Sequence, residues 1–457
     1  MQRVIDPTTG RLLREVPYAD GPTVEAALAA SHRCFEDWRR AGFAERGEVL
    51  RAVAALLRED VEQLAPLMTE EMGKPIREAR GEVEKAAWAA EHYAEHAEAY
   101  LATQVLPSDA SHSYVQHLPL GTVLGVLPWN APFWLAFRFA APALMAGNTC
   151  LMKHDAHVPA CAAAIGALFE RVGAPAGLFQ DLAMDHAAVA EVIRDDRVRA
   201  ISFTGSERGG SALAALAAAE IKPAVLELGG SDPCIVLADA DLEAAADVIT
   251  LSRIINAGQS CIAAKRIIVE EAVHDRLVGL LEERLSALTV GDPREEATDV
   301  GPIAREDLRE NLHRQVQETV AAGARCRLGG ELPGGDGFFY PVTLLTEVTQ
   351  AMTAAREETF GPVMVVLRAA DAGEAVTMAN DTRYGLAASV WSAAGRAEAL
   401  AAELDTGQVA VNGIVKTDPR LPSGGVKRSG YGRELGPHGI HAFVNAQQVW
   451  VGPKQSA

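Results

Sequence analysis

From Thr23 to about Tyr100, apolar residues recur at intervals of three and four, the spacing of helices packed on one face. Between Arg51 and Met72 the repeat runs Val53, Leu56, Leu57, Val61, Leu64, Leu67, Met68. It reads as one helix, which Gly73-Lys74-Pro75 ends. Thr23 reads as the N-cap of the first helix, and residues 84–101 form another, with alanines on the packed side. Ahead of these, residues 4–16 read as a hairpin turned at Pro7 and Gly10. Residues 111–117 alternate polar and apolar positions, and residues 446–451 look similar. Such strands, outside the main rhythm, pair at a sheet edge or with another subunit.

After Gly121 the pattern changes to strand, helix, strand, helix. Apolar runs at 123–127, 149–153, 180–183, 200–204 and 224–227 read as strands. Helical stretches at 132–146, 159–172, 187–194 and 206–220 separate them. This alternation predicts a parallel, doubly wound sheet, whose ligands bind outside the carboxyl ends of the strands. A second succession starts near Asp232, with strands at 234–237 and 266–269, a helix at 242–256 and another to about Leu288. Further alternation runs to Val411. The fold class is therefore α/β: two doubly wound α/β domains plus a small β element. A length of 457 residues agrees, since single cores stop growing at roughly 250–300 residues.

A net charge of −19 argues against nucleic acid as a partner, because that needs a basic face. The six cysteines are scattered, with no C-x-x-C pair, so neither a disulfide framework nor a metal site is expected. A reducing, cytoplasmic setting fits them, and Met1 to Pro7 has no apolar signal core. From Thr122 to Met152 the only charge is Arg138. Prolines at 128, 132 and 142 and Gly147 interrupt this stretch, so it reads as buried interior and not as a membrane span.

Chemistry enters at Asn256-Ala257-Gly258-Gln259-Ser260-Cys261, where a thiol follows a small, flexible approach. Such a cysteine serves either as a nucleophile or as a buried structural thiol. Glu227 ends a strand before Gly229-Gly230, a position suited to a general base. Asn130, in Pro128-Trp129-Asn130-Ala131-Pro132, either stabilises a turn or donates its amide to an oxyanion. Arg138 either forms a buried salt bridge or holds an anionic substrate group. Thr204-Gly205-Ser206, running on to Gly210, opens a helix after a strand and suits phosphate, although it is not the G-x-G-x-x-G fingerprint. Lys153 ends a strand at the ligand edge. Glu358 and Phe360 pair a carboxylate with an aromatic ring.

Taken in order, Pro128-Trp129-Asn130, Phe203-Thr204-Gly205-Ser206, Glu227-Leu228-Gly229-Gly230, Gly258-Gln259-Ser260-Cys261, Glu358-Thr359-Phe360-Gly361-Pro362 and Gly424 to Gly430 resemble the aldehyde dehydrogenase superfamily over essentially the whole chain. The resemblance implies oxidation of an aldehyde to a carboxylic acid with NAD or NADP. It makes Cys261 the nucleophile, Glu227 the activator of water and Asn130 the oxyanion donor. It places the cofactor against Trp129, Lys153, Thr204, Gly205, Ser206, Gly210, Glu358 and Phe360. It implies a dinucleotide-binding domain from 1–104 and 121–229, a catalytic domain at 230–436, and an element for homodimer or homotetramer formation from 105–120 and 437–457.

Met152-Lys153-His154-Asp155 and Ser231 resemble the bacterial succinate semialdehyde dehydrogenase branch, which places an arginine for the substrate carboxylate at Arg138. Ile255 and Ser423 depart from that branch and suit a broader range of aliphatic or aromatic aldehydes. Ala156, where NAD-preferring members carry glutamate, leaves NADP open. A non-catalytic protein on this fold would be expected to have lost Cys261 or Glu227, and both are present.

Overall fold

The computed structural model describes residues 1–452. Two large sheets carry the chain. The first runs, edge to edge, through strands Gly430–Tyr431, Ala224–Glu227, Val198–Thr204, Thr122–Leu127, Thr149–His154 and Phe179–Asp181. All its pairings are parallel except that of Gly430–Tyr431, which returns from far down the chain antiparallel to Ala224–Glu227. The second sheet is Arg325–Leu328, Thr343–Thr346, Val363–Ala369, Arg266–Glu270, Pro233–Val236, Ala387–Trp391 and Gln408–Val411. It is parallel apart from its antiparallel edge strand, Arg325–Leu328. Helices cover both faces of a sheet of this kind, so its inner strands read as unbroken apolar runs. Ile267, Ile268 and Val269 are accordingly all inaccessible to solvent.

The helical N-terminal region packs on the first sheet. Helices Phe43–Glu59, Val61–Met72 and Ile76–Tyr100 share one core with helix Pro132–Met145, through Leu50, Leu57, Met68, Val83, Phe133 and Phe137. Three local expectations are corrected. The helix expected across Arg51 to Met72 is two helices, because the backbone leaves helical geometry at Asp60, whose carboxylate pairs with Arg171. The first helix is capped by Asp20 and not by Thr23: the Asp20 carboxylate accepts the Thr23 N–H at 2.9 Å. Helix Leu242–Ile254 stops two residues short of Asn256, a difference that matters for the site.

The alternating segments pair with each other. Strand Val444–Val451 lies antiparallel to His112–Pro119, which also pairs with Gln104–Val105. This three-stranded sheet stands apart from the two large ones, and residues 453–457 of the expected element lie outside the described residues. No helix among the described residues is long and apolar enough to cross a membrane.

Candidate active site

The segment before Cys261 is strained. Asn256, Ala257 and Gly258 have φ of 56°, 53° and 74°, three consecutive left-handed residues. Only glycine adopts this region freely, so Asn256 and Ala257 are held there by their surroundings. Glu78, on helix Ile76–Tyr100, accepts the Asn256 N–H at 2.6 Å. Arg253 is wholly buried and donates to the carbonyls of Gly258 (2.7 Å), Gly361 (2.6 Å) and Thr359 (3.2 Å). It thereby ties the Glu358–Gly361 segment to the loop. A Cβ on Gly258 would come within 2.3 Å of the Gly361 carbonyl oxygen, so no larger residue fits there.

Lys265, also wholly buried, donates to the carbonyls of Ser260 (3.0 Å) and Cys261 (2.5 Å) and lies 3.4 Å from the Glu358 carboxylate. The two ends of a trans peptide point in opposite directions. With the Ser260 carbonyl turned to Lys265, the Cys261 N–H points away from it. Burial pushes the Cys261 thiol up to about 11, against the pull of Lys265 and Arg138. The thiol is therefore neutral near pH 7 and needs a base to become a nucleophile.

Asn130 faces this loop and donates its side-chain amide to the Gln259 carbonyl at 3.1 Å. Its own carbonyl accepts from Lys74 Nζ and Asn256 Nδ2, both at 2.9 Å. Lys74 is paired with Glu82, whose other oxygen accepts the N–H groups of Phe133 (2.9 Å) and Trp134 (3.2 Å) at the start of helix Pro132–Met145. One stripe of polar side chains, Lys74, Glu78 and Glu82, thus grips both the Asn130 turn and the loop leading to Cys261. It fixes the gap between them.

Glu227 ends its strand fully enclosed. One carboxylate oxygen accepts from Arg138 at 2.7 Å, and the other is buried without a partner. Burial raises the Glu227 carboxyl to about 7, opposed by Arg138 and reinforced by Glu434. Arg138 is held by two carboxylates. Its guanidinium is shared between Glu227 and Glu434, at 3% exposure, and Ser202 donates to the second oxygen of Glu434 at 3.0 Å. Arg138 thus makes the buried salt bridges of the first alternative. It lies within electrostatic reach of both Glu227 and Cys261.

The residues expected at the cofactor gather at the ends of the first sheet. Thr204 ends strand Val198–Thr204, and its hydroxyl is buried without a partner. Ser206 caps helix Glu207–Ala219, accepting from the Gly209 N–H at 3.2 Å, which leaves its hydroxyl hydrogen free. A Cβ on Gly205 or Gly209 would press within 2.8 or 2.9 Å of the Phe203 ring, and one on Gly210 within 2.5 Å of Leu228. The glycines keep the space over this turn open. Lys153 lies in strand Thr149–His154 near half-buried Asp181 and Asp155. Trp129 and Phe360 meet edge to face, with ring centroids 5.9 Å apart. Glu358 accepts the Gly230 N–H at 3.1 Å. An orphaned hydroxyl, an open helix start and a cation at a strand end together fit a dinucleotide.

The aldehyde dehydrogenase family model matches residues 1–449. The chain belongs to the aldehyde dehydrogenase family. It is 46% identical over 448 residues to a probable NADP(+) succinate-semialdehyde dehydrogenase of Synechocystis sp., covering 98% of this chain and 99% of that protein. It is equally 46% identical over 453 residues to succinate-semialdehyde dehydrogenase [NADP(+)] 1 of Mycobacterium tuberculosis, covering 98% of this chain and 99% of that protein. Its fold matches the succinic semialdehyde dehydrogenase of Streptococcus pyogenes, solved in complex with NADP+. The TM-score is 0.97, at 34% identity, covering 99% of this chain and 100% of that one.

In this aldehyde dehydrogenase, the supporting polar residues Lys74, Glu78, Glu82, Arg253, Lys265 and Glu434 were not singled out from the sequence. Gly73-Lys74-Pro75 looked like a helix stop and no more. The usable signal was the i, i+4 spacing of Glu78 and Glu82, which puts two acids on a helix face otherwise carrying alanine.

Removing one partner of a buried ion pair costs roughly 3–5 kcal/mol, so the informative variant replaces both, Lys74→Met with Glu82→Gln. It is expected to lower kcat for aldehyde oxidation roughly 10- to 100-fold, as misplaced catalytic groups do. Alkylation of Cys261 by iodoacetamide, which forms no oxyanion, should keep its rate. Parallel losses in both measurements would mean that the pair only holds the loop together.

Proposed function

We propose that this enzyme oxidises a short-chain semialdehyde, such as succinate semialdehyde, to the acid, with NADP as the preferred coenzyme. The observation that carries the chemistry is the enclosed Glu227 carboxylate, held near neutrality, with one oxygen free. The relatives' substrate and coenzyme support the semialdehyde and NADP. Ala156 adds to this, because no acid stands there to repel a 2′-phosphate.

Cys261 loses its proton to a base and attacks the aldehyde carbon, and the former carbonyl oxygen becomes an oxyanion. The Cys261 N–H and the Asn130 amide are the donors for that oxygen. A nicotinamide coenzyme held at the ends of the first sheet would supply the hydride acceptor for oxidation of the thiohemiacetal carbon to the thioester. Glu227 then deprotonates a water that hydrolyses the thioester, releasing the carboxylic acid and the thiol. Thr204, Gly205, Ser206 and Gly210 would cradle the coenzyme's phosphates. Lys153 would meet its adenosine ribose, and Trp129, Glu358 and Phe360 would line its nicotinamide end.

On this reading the dinucleotide-binding domain spans 1–104 and 121–229, and the catalytic domain 230–436, with strand Gly430–Tyr431 lent back to the first. The sheet of Gln104–Val105, His112–Pro119 and Val444–Val451 is the contact for a homodimer or homotetramer. Six unpaired cysteines suit a cytoplasmic setting.

Steady-state rates over a panel of aldehydes, each with NAD and NADP, test this reading. Succinate semialdehyde with NADP is expected to give the highest kcat/KM. A faster reaction with uncharged aliphatic or aromatic aldehydes would establish the broad-range alternative, which the departures at Ile255 and Ser423 favour.

A further inference from the structure

Water stabilises an ammonium strongly, and burial removes that stabilisation. Lys265 is nevertheless wholly enclosed, just after the nucleophile. Its three donors face the Ser260 carbonyl at 3.0 Å, the Cys261 carbonyl at 2.5 Å and the Glu358 carboxylate at 3.4 Å. The first two carbonyls belong to the two peptide groups on either side of the Cys261 Cα. A single cation thus grips both peptides of the nucleophilic residue.

The second sheet sets this position. Strands Pro233–Val236 and Arg266–Glu270 pair in parallel with Pro233 opposite Arg266, so Asp232 and Lys265 stand side by side where the two strands begin. The N–H groups of Lys265 and Arg266 both donate to the Asp232 carbonyl at 3.1 Å. One oxygen of the Asp232 carboxyl accepts the Ala387 N–H at 3.2 Å, and the other is buried without a partner. Burial raises this carboxyl to about 7, opposed chiefly by Lys265.

The charged groups that bear on the Cys261 thiol come from four elements. Lys265 and, more weakly, Arg138 on helix Pro132–Met145 favour its ionised form, while Glu358 and Asp232 oppose it. Arg138 is shared between Glu227 and Glu434. Two further buried cations are engaged by backbone. Arg253, on helix Leu242–Ile254, meets the carbonyls of Gly258, Thr359 and Gly361. Arg266 meets those of Ser231, Met378 and Ala379. Lys265 is the cation whose hydrogen bonds end on Cys261 itself.

We propose that Lys265 is a positioning residue for the attacking thiol: its charge favours the Cys261 thiolate, and its hydrogen bond to the Ser260 carbonyl fixes the peptide that presents the Cys261 N–H to the oxyanion. The proton still leaves to a base, and Lys265 stabilises the charge left on sulfur. This rests on Cys261 as the nucleophile, a reading that the activity of Cys261→Ala tests on its own.

The test is the pH dependence of iodoacetamide alkylation, followed by peptide mass at Cys261 and Cys34 in the same full-length enzyme. Cys34, on helix Gly21–Trp38, is half-buried and its charged neighbour is Asp37, so it serves as the internal reference. Alkylation follows the thiolate fraction, which a nearby opposite charge changes roughly 10-fold or more. Lys265→Gln keeps an amide donor and removes the charge. It should slow Cys261 alkylation roughly 10-fold at about pH 8, lower kcat/KM for the aldehyde with it, and leave Cys34 at its parent rate. Asp232→Asn leaves the lysine in place and can still accept the Ala387 N–H. Because it removes an anion, it should speed Cys261 alkylation roughly 2- to 5-fold above a pH of about 7, where the parent carboxyl is ionised, and change it little below. Unchanged Cys261 alkylation in Lys265→Gln, or equal slowing at both cysteines, would overturn the proposal. Should Lys265→Gln not fold, Asp232→Asn decides alone: a Cys261 rate at or below the parent's above a pH of about 7 would overturn it.

Discussion

Cys261→Ala is expected to abolish aldehyde-dependent formation of NADPH, a loss of roughly 10⁴-fold or more, as when a covalent nucleophile is removed. The expectation rests on how the loop is built. A buried cation, Arg253, and a half-buried carboxylate, Glu78, hold three left-handed residues in place just before the thiol, and a second buried cation, Lys265, grips the carbonyls of Ser260 and Cys261. Each left-handed non-glycine residue costs on the order of 1–3 kcal/mol, and strain of that kind persists where a function uses it. A buried structural cysteine needs no such support. Cys150, Cys161 and Cys234 are more deeply buried in ordinary strands and helices, and none follows a left-handed run. Alanine keeps the loop's backbone bonds, so thermal unfolding and coenzyme binding should stay close to those of the parent enzyme. Residual turnover near the parent rate would remove Cys261 from the mechanism. Loss of coenzyme binding along with activity would mean that the substitution had collapsed the loop.

The two large sheets were legible because a buried strand and an amphipathic helix each leave a periodic trace in the chain. Every strand expected between 123 and 269 is present within two residues of its expected bounds. The polar interior left no such trace. Arg138 stood out as a lone charge, yet its partner Glu434 lies 296 residues away and neighbours no motif of its own. Period reveals which face is buried. It does not reveal which distant carboxylate will meet a buried guanidinium. The end of the helix at Ile254 was hidden for the same reason. Ile254 and Ile255 continue an apolar helical pattern, and the hydrogen bond that the Asn256 N–H donates to Glu78, 178 residues earlier, helps hold the chain in the left-handed turn beyond it. At the helix break, Asp60 likewise meets a distant partner, Arg171, 111 residues on.

Glu227→Gln is expected to let the first half of the reaction proceed and to stall the second. Glutamine keeps the volume and can still accept from Arg138, but it does not take a proton from water. One equivalent of NADPH per active site should appear in a burst. Steady turnover should then fall by roughly 10²- to 10⁴-fold, the usual contribution of a general base. The parent enzyme is expected to show a matching pH signature. With the Glu227 carboxyl near 7, the base form is the minority below that pH, so steady-state kcat should rise with pH through about 7 and level off above it. The sign follows from the charge form required. Protonation silences a base, and burial favours the protonated form, while Arg138 limits how far that goes. In Glu227→Gln the rise should disappear, because the titrating group is gone. A variant that releases acid at the full rate, or one that keeps the rise near pH 7, would assign water activation to another group, and Glu434, across the same guanidinium, would be the next to test.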